Sequence, residues 1–300
     1  QLEKLKKSQQ YKAFTIAKSK LQKIKKDREK RILLHRGDSK RINMAFYVNW
    51  AGTAGKSLAD LKRNIGHLDM VATESFFLNG DSIVDKADTA ALHVIHQANK
   101  SPIAVVSNFN KDHWDGAAVR RLLNDLPAQQ KLITNLIQIT EKYHFQGINI
   151  DFEELNLENR DQFNAFMKNL YEQFHAKKLI VSQDISPEND DYNPAILQNY
   201  NDYVVLMAYD QHTDQSNAGD ISHQEWVEDK LDDICSTMNP NKVILALACY
   251  GYDWPQNSVG KSITYEDAMN TAVNYKSQIH YNPQSANLNY SYKDGSKLTH

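Results

Sequence analysis

The residues of this chain that are best suited to chemistry lie in one short segment. Residues 145–154 read Phe-Gln-Gly-Ile-Asn-Ile-Asp-Phe-Glu-Glu. Side chains of a β-strand alternate between two faces, so Asn149, Asp151 and Glu153 share one face and the apolar side chains share the other. Burying ionised carboxyl groups costs several kcal/mol each unless partners compensate. A row of acids on the inner face of a sheet is therefore typical of a site for general acid/base chemistry.

A regular series of strand-like and helix-like stretches surrounds this segment. From Met44 onward, short apolar runs alternate with amphipathic helical stretches, a pattern that is typical of a parallel sheet covered by helices. The chain has neither a G-x-G-x-x-G fingerprint nor a P-loop, so a nucleotide-binding open sheet loses its main support. The predicted strands are Met44–Trp50, Asp69–Leu78, Pro102–Phe109, Gly147–Glu153, Leu179–Ser186, Tyr203–Asp210 and Val243–Tyr250.

The seven strands predict an α/β fold of the TIM (β/α)₈ barrel type that lacks its eighth strand. The acidic segment is the fourth strand, and its acids then point into the barrel and rise toward the C-terminal rim, where barrel enzymes place their active sites. After Tyr250 the sequence offers a helix near Thr264–Ile279 and a polar stretch, residues 281–300, without a strand-like apolar run. We therefore expect a gap between the first and seventh strands, and a barrel that is incomplete at its C-terminal side.

Two capping pairs are expected at the starts of the last two helices. Ser222 with Glu225 and Thr264 with Asp267 have the spacing of a capping box, the second with the shorter acid.

Charge divides the chain into a basic tail and an acidic body. Residues 1–41 hold 15 of the 35 Lys and Arg but only 4 of the 37 Asp and Glu, so residues 42–300 carry a clear acidic excess. We expect 1–41 to be a helical or disordered tether and 42–300 to be the barrel. An acidic body argues against nucleic acid as a partner. The basic tail favours proximity to a membrane or cell wall, and the chain begins with Gln, which suggests further domains in a longer protein.

No metal or cofactor is expected. His93 and His96 are three residues apart on a predicted helix with no acid cluster nearby, which argues against a zinc site.

Three motifs in order resemble glycoside hydrolase family 18, the family of chitinases and N-acetylglucosaminidases. Residues 146–153 are similar to its Asp-Gly-x-[Asp/Asn]-x-Asp-x-Glu strand, with Gln146 in place of the leading Asp. Residues 205–210, Val-Leu-Met-Ala-Tyr-Asp, resemble the family's sixth strand, and residues 245–254, which end in Tyr-Gly-Tyr-Asp-Trp, resemble its seventh. Residues 107–110 depart from the family, because they read Ser-Asn-Phe-Asn where many chitinases carry Ser-x-Gly-Gly. The sequences of the first two motifs are most similar to a hydrolase-like N-terminal module of certain bacterial proteins. In those proteins the module is fused to a polysaccharide deacetylase and a family 2 glycosyltransferase.

The resemblance implies a substrate-assisted mechanism, in which the 2-acetamido group of the substrate is the nucleophile. Glu153 would protonate the glycosidic oxygen, Asp151 would hold the acetamido N–H and stabilise the oxazolinium ion, and Tyr209 would donate to the acetamido oxygen. Asn149 would orient Asp151. The remaining expected sugar contacts are Asp210, Met207, Tyr47, Trp50, Tyr250, Tyr252 and Trp254, although each aromatic residue taken alone is equally compatible with core packing.

Three classes of function remain open at this point, the third being a surface-interaction protein that acts through the basic tail. The leading hypothesis is a glycosidase for β-1,4-linked N-acetylglucosamine polymers, either chitin-like or peptidoglycan, at the cell envelope or the extracellular face of a membrane-anchored protein. The alternative is a non-catalytic carbohydrate-binding module in a polysaccharide synthase or deacetylase fusion. Retention of both Asp151 and Glu153 favours the enzyme, because a binding module has no need of a buried acid.

Overall fold

The computed structural model describes residues 41–49, 54–80, 82–158, 160–256, 258–294 and 297–299. The predicted tether therefore lies outside the described residues except for Arg41, and residues 42–300 make up one unit of the fold. Within the described ranges, no helix is both long enough and apolar enough to cross a membrane.

The described residues form a layer of strands covered by helices. The strands are β1 (Met44–Tyr47), β2 (Met70–Asn79), β3 (Ser82–Asp85), β4 (Ser101–Ser107), β5 (Phe109–Asn110), β6 (His113–Trp114), β7 (Gly147–Asp151), β8 (Ile180–Ile185), β9 (Tyr203–Met207), β10 (Val243–Ala246), β11 (Tyr250–Asp253), β12 (Lys261–Thr264), β13 (His280–Asn282), β14 (Asn287–Asn289), β15 (Tyr292–Asp294) and β16 (Lys297–Thr299). The helices are α1 (Ala54–Asn64), α2 (Thr89–Gln97), α3 (Gly116–Leu123), α4 (Leu126–Lys142), α5 (Arg160–Ala176), α6 (Pro194–Leu197), α7 (Gln224–Thr237) and α8 (Tyr265–Asn274).

Seven parallel strands make the main sheet, in the order β1-β2-β4-β7-β8-β9-β10, with β3 added antiparallel to β2. This sequential order of parallel strands with intervening helices confirms the predicted barrel-type fold. Among the described residues, β1 and β10 are not paired with each other and no strand lies between them. The polar stretch 281–300 instead contributes to short antiparallel hairpins, β13 with β14 and β15 with β16.

Two apolar clusters explain how the sheet is held. The larger cluster lies between the sheet and the helices, and it includes Ile148, Ile150 and Phe152 from the acidic segment. The smaller cluster lies on the other face and is centred on Ala72, Ile103 and Val105. The interior is thus apolar at the level of these residues and becomes polar toward the carboxyl ends of the strands.

The start of β7 requires a glycine. A Cβ at Gly147 would lie 2.2 Å from the carbonyl oxygen of Ile180, so β7 and β8 approach each other at a point where no side chain fits. This contact sets the height of the acidic residues relative to β8, because Gly147 pairs with Ile180 and Asn149 with Ser182.

One of the two expected capping pairs is present. Thr264 caps α8 by accepting a hydrogen bond from the Asp267 N–H at 3.1 Å, and its hydroxyl donates to the Asp267 carboxylate at 2.7 Å. The prediction for Ser222 and Glu225 is wrong, because His223 caps α7 and accepts from the Glu225 N–H through Nδ1. The helix begins one residue later than the capping-box spacing implies.

Candidate active site

The predicted acidic row lies at the carboxyl end of β7. Asn149 and Asp151 point into the barrel and are buried, with exposed fractions of 0% and 8%. The strand ends at Asp151, so Glu153 lies in the following loop, half-buried, rather than inside the strand as predicted. The order of the three side chains therefore runs from the closed interior to the accessible rim.

A side-chain clamp fixes the backbone at Glu153. Asn108, which directly follows β4 and is fully buried, donates from Nδ2 to the Glu153 carbonyl and accepts from the Glu153 N–H, both at 2.9 Å. These two bonds imitate the pairing that a neighbouring strand would supply after β7 has ended. The departure from the family at residues 107–110 thus places an amide where it holds the loop.

Gly116 supports the same loop from the helix layer. A Cβ at Gly116 would lie 2.0 Å from the carbonyl oxygen of Glu154, so the backbone at the start of α3 touches the backbone that follows Glu153. Glu154 itself is exposed and has a positive φ of 52°, which turns the chain away from the strand direction.

A buried polar network joins β7 to β8. The Asn149 Nδ2 donates to Asp184 at 2.7 Å, and the Ser182 hydroxyl donates to Asn149 Oδ1 at 2.7 Å. Asn149 was expected to orient Asp151, but its amide is instead bound to the carboxylate of Asp184 on the neighbouring strand. Asp184 is 3% exposed and faces the same interior as Asp151.

Burial is the main cause of the raised pKa values of Asp151 and Glu153. It raises the pKa of Asp151 well above its ordinary value, and the charges of Asp184, Glu153 and Glu74 raise it further. For Glu153, burial raises the pKa to about 7; a hydrogen bond from Ser186 at 3.4 Å opposes this shift, and the charges of Glu154 and Asp210 add to it. Glu153 is thus a carboxylic acid that keeps its proton near neutral pH, as a general acid must.

An open cleft of about 310 Å³ lies beside Glu153. Its walls come from the loops after β8 and β9 and from α7, and they are formed by Glu153, Ser186, Pro187, Glu188, Met207, Tyr209, Asp210, Gln211 and Trp226. Four of the predicted residues, Glu153, Met207, Tyr209 and Asp210, therefore meet in one cavity. No group of three His, Cys, Asp or Glu residues in the described part of the chain is arranged to hold a metal ion.

Asp210 connects this cleft to a row of aromatic side chains on β11. Its Oδ1 accepts from the hydroxyls of Tyr250 at 2.6 Å and Tyr252 at 2.9 Å, and its backbone has a positive φ of 59°. The Tyr209 ring packs edge-on against Tyr250, at 6.1 Å between centroids. Burial raises the pKa of Tyr209, so its hydroxyl remains a proton donor throughout the physiological range.

Trp254 continues this row but is partly occupied by structural contacts. It lies 5.6 Å from Tyr252 between ring centroids and donates from Nε1 to the Thr213 carbonyl at 2.8 Å. A Cβ at Gly260 would lie 2.8 Å from Trp254 Cδ1, so the backbone of Gly260 already packs closely against the indole.

Two predicted aromatic contacts are not placed at the cleft. Tyr47 is buried among the residues between sheet and helices, and its hydroxyl donates to Asp88, the N-cap of α2, at 2.6 Å. The alternation along β1 puts Met44 and Phe46 on the inner face and Tyr47 on the outer face, so the structure corrects the expected role of Tyr47 as a wall of the sugar site. Trp50 lies outside the described residues.

The sequence interpretation missed Asn108, Asp184, Ser186 and Trp226. For two of these a signal existed, because Ser182, Asp184 and Ser186 alternate with apolar or outward residues along the fifth predicted strand. Asn108 and Trp226 gave no such signal, since each reaches the site from an element that is distant in sequence.

The fold and the carboxyl row together define the class of the protein, a barrel glycosidase. The family model for glycosyl hydrolases family 18 matches residues 41–299, and the chain belongs to this family. The expected family and the expected enzyme class are thereby confirmed.

Two curated proteins show how far the sequence similarity extends. The chain is 26% identical over 279 residues to the uncharacterized glycosylase YvbX of Bacillus subtilis, covering 88% of this chain and 80% of that protein. It is 25% identical over 261 residues to the cortical fragment-lytic enzyme of Bacillus anthracis, covering 82% of this chain and 61% of that enzyme. The chain thus spans about three fifths of the second relative.

Solved structures show the same fold. The chitinase from Chromobacterium violaceum superposes with a TM-score of 0.78 at 24% identity, covering 87% of this chain and 85% of that one. The Bacillus cereus spore cortex-lytic enzyme SleL gives a TM-score of 0.79 at 23% identity, covering 87% and 65%. A class V chitinase from Nicotiana tobaccum, solved in complex with NAG4, gives 0.70 at 13% identity, covering 87% and 86%.

Proposed function

We propose that the chain hydrolyses β-1,4-linked N-acetylglucosamine polymers by substrate-assisted retaining catalysis, with Glu153 as general acid and base. The observation that carries this proposal is an acid at the rim of the cleft, Glu153, whose pKa is raised to about 7, with the buried carboxyl of Asp151 two residues earlier in the chain. The NAG4 complex of the tobacco chitinase supports the sugar class, because that protein shares the fold.

The first chemical step needs one proton and one nucleophile. Glu153 donates its proton to the glycosidic oxygen while the acetamido oxygen of the substrate attacks the anomeric carbon, so that the leaving sugar departs and an oxazolinium ion forms. Asp151 accepts a hydrogen bond from the acetamido N–H, and its negative charge stabilises the oxazolinium cation. Tyr209 donates its hydroxyl to the acetamido oxygen and fixes its direction of attack.

The second step reverses the role of Glu153. Its carboxylate takes a proton from water, the water oxygen attacks the anomeric carbon, and the acetamido group is released with retained configuration. Met207 forms part of the wall beside Tyr209, and Asp210 presents its second oxygen to sugar hydroxyls while its first oxygen is held by the two tyrosines.

A cell-wall polymer is the proposed substrate. The cortical fragment-lytic relatives support this choice by name, and the resemblance to a module of deacetylase and glycosyltransferase fusions supports a place at the cell envelope. Defined peptidoglycan strands and N-acetylglucosamine oligomers, with products identified by mass spectrometry, distinguish the two polymers.

The test of the mechanism is Glu153→Gln, which removes the proton donor with little change in volume. We expect hydrolysis to fall at least about 1,000-fold, within the range that general acid catalysis and charge stabilisation supply, while oligomer binding stays within a few-fold. Wild-type protein should also leave an oligomer uncut where glucosamine occupies the subsite that supplies the nucleophile. Efficient cleavage of that oligomer would show an enzyme nucleophile and contradict the proposal, and binding without any hydrolysis by the wild type would favour the carbohydrate-binding alternative.

A further inference from the structure

The carboxyls of Asp151 and Asp184 lie side by side on neighbouring strands. Ile150 of β7 pairs with Gln183 of β8 in a parallel register, so the next residue of each strand is Asp151 and Asp184, respectively. Both side chains face the interior and are buried. Neighbouring strands are about 4.8 Å apart, which brings two inward carboxyl groups within reach of each other.

Hydrogen bonds reach only some of the carboxyl oxygens of this pair. One oxygen of Asp184 accepts from Asn149 at 2.7 Å, whereas Oδ1 of Asp184 and Oδ1 of Asp151 are buried and have no hydrogen-bond partner among the described residues. An ionised carboxylate only accepts, so two ionised carboxylates cannot satisfy each other. One proton held between them supplies the missing donor.

The surrounding charges act in the same direction. The groups that face the pair are Glu74 of β2, Glu153 of the loop after β7 and Tyr209 after β9, together with the Tyr192 hydroxyl. Burial raises the pKa of both Asp151 and Asp184, and the acidic neighbours raise each pKa further. A carboxyl pair in such surroundings loses its two protons in separate steps.

We infer that Asp184 is a positioning residue that shares one proton with Asp151, and that Asn149 holds it in place. This role rests on the proposed function. At rest, the Asn149 N–H stabilises negative charge on Asp184 while Asp151 carries the proton. When the oxazolinium ion forms, the proton passes from Asp151 to Asp184 and the negative charge moves to Asp151, facing the cation. No other reactant takes part.

The test is Asp184→Asn, which can still accept the Asn149 hydrogen bond but cannot take up the proton. We expect kcat to fall at least about 10-fold, in the range of a positioned proton acceptor, with KM within a few-fold. Asp151 should titrate in a single step at lower pH than the second step of the wild-type pair, because it loses a like-charged neighbour.

Stability separates this role from a structural one. A buried acid with a raised pKa stabilises the fold at low pH, and that contribution is lost as pH rises through its folded pKa. Asp184→Asn should therefore raise Tm at pH 7 by about 2 to 4 °C and give a smaller gain at pH 4. Carbon-13 NMR of labelled aspartates should show two coupled titrations in the wild type and an earlier Asp151 titration in the variant.

Asp202→Asn is the matched control. Asp202 lies at the opposite end of the sheet, next to the start of β9, where it accepts from the Val181 N–H at 2.8 Å and pairs with His175. This control should lower Tm and leave the Asp151 titration unchanged. A Tm that falls in Asp184→Asn at both pH values, with an unchanged Asp151 titration, would overturn the inference. If the wild type hydrolyses no oligomer, the proposed function fails, while the NMR and Tm measurements still decide whether the proton is shared.

Discussion

Glu153 lies where a buried environment meets the open cleft, and this position sets its proton affinity. Burial raises its pKa to about 7, whereas the hydroxyl of Ser186 donates to the carboxylate and lowers the pKa. A deeper position would hold the proton too firmly to give it up, and a fully solvated one would lose it below neutral pH. The pKa of Glu153 is thus set by burial, which raises it, and by the Ser186 hydrogen bond, which lowers it.

The pH dependence of hydrolysis follows from this balance. The general acid must be protonated, so activity should fall as pH rises through about 7. Ser186→Ala removes the bond that favours the charged form, so the pKa of Glu153 rises and the basic limb moves to higher pH. At pH 6, where Glu153 is protonated in both proteins, kcat should differ by less than about three-fold. The measurement is kcat against pH on a single oligomer.

A surface serine provides the control for this change. Ser236 donates to the Asp233 carbonyl on α7, away from the cleft, and Ser236→Ala should leave the basic limb in place. A basic limb that does not move in Ser186→Ala would show that Ser186 does not act on the charged form of Glu153.

At the scale of elements, β4 and β7 hold the catalytic loop between them. β7 ends at Asp151, and the side chain of Asn108 continues its pairing with two hydrogen bonds to the backbone of Glu153. The general acid therefore lies on irregular backbone that is held by two side-chain hydrogen bonds. Such rigidity matters because a misplacement of about 1 Å can cost about 100-fold in rate.

Asn108→Ala tests this clamp. We expect kcat to fall about 10- to 100-fold with KM changed by only a few-fold, because the acid is misplaced while the sugar contacts remain. Two backbone groups lose buried partners, so Tm should fall by about 3 to 8 °C. Asn124→Ala is a suitable control, since Asn124 is exposed and donates to the Arg120 carbonyl. A stability loss with unchanged kcat would assign Asn108 to folding alone.

Sequence reasoning succeeded where one element carries the whole pattern. Asn149, Asp151 and Glu153 lie in one strand and its exit, so alternation alone was enough to place them on one side. Alternation along its strand indicates that Asp184 faces inward, but its place beside Asp151 and the contact of Asn108 with Glu153 depend on the register between strands that are distant in sequence. Tyr47 was assigned to the wrong face of the sheet. The run Met-Ala-Phe-Tyr of β1 is apolar on both faces, so the sequence does not indicate which side chains point into the barrel.

At the scale of the whole molecule, residues 42–300 form a compact unit that contains both apolar clusters. The unit starts at Ile42, and both apolar clusters are formed by residues that follow it. We expect removal of residues 1–41 to change Tm by less than about 3 °C, since residues 42–300 form a unit with its own apolar clusters. Thermal unfolding followed by circular dichroism measures this, and a collapse of Tm would contradict the tether interpretation. Binding of the shortened protein to anionic vesicles, compared with the full chain, tests the expected surface attraction of the tail.

The contact between Gly116 and Glu154 has a consequence for how sequence variation in this protein is interpreted. Gly116 does not line the cleft, has no side chain that could take part in chemistry and lies well before the acidic segment in the chain. A single added methyl group there would meet the carbonyl oxygen of Glu154 and displace the loop that carries Glu153. A screen for activity would then score a glycine-to-alanine change on a helix as though it were a change in the active site. Substitutions that lower activity are therefore expected at more positions than those that contact the substrate.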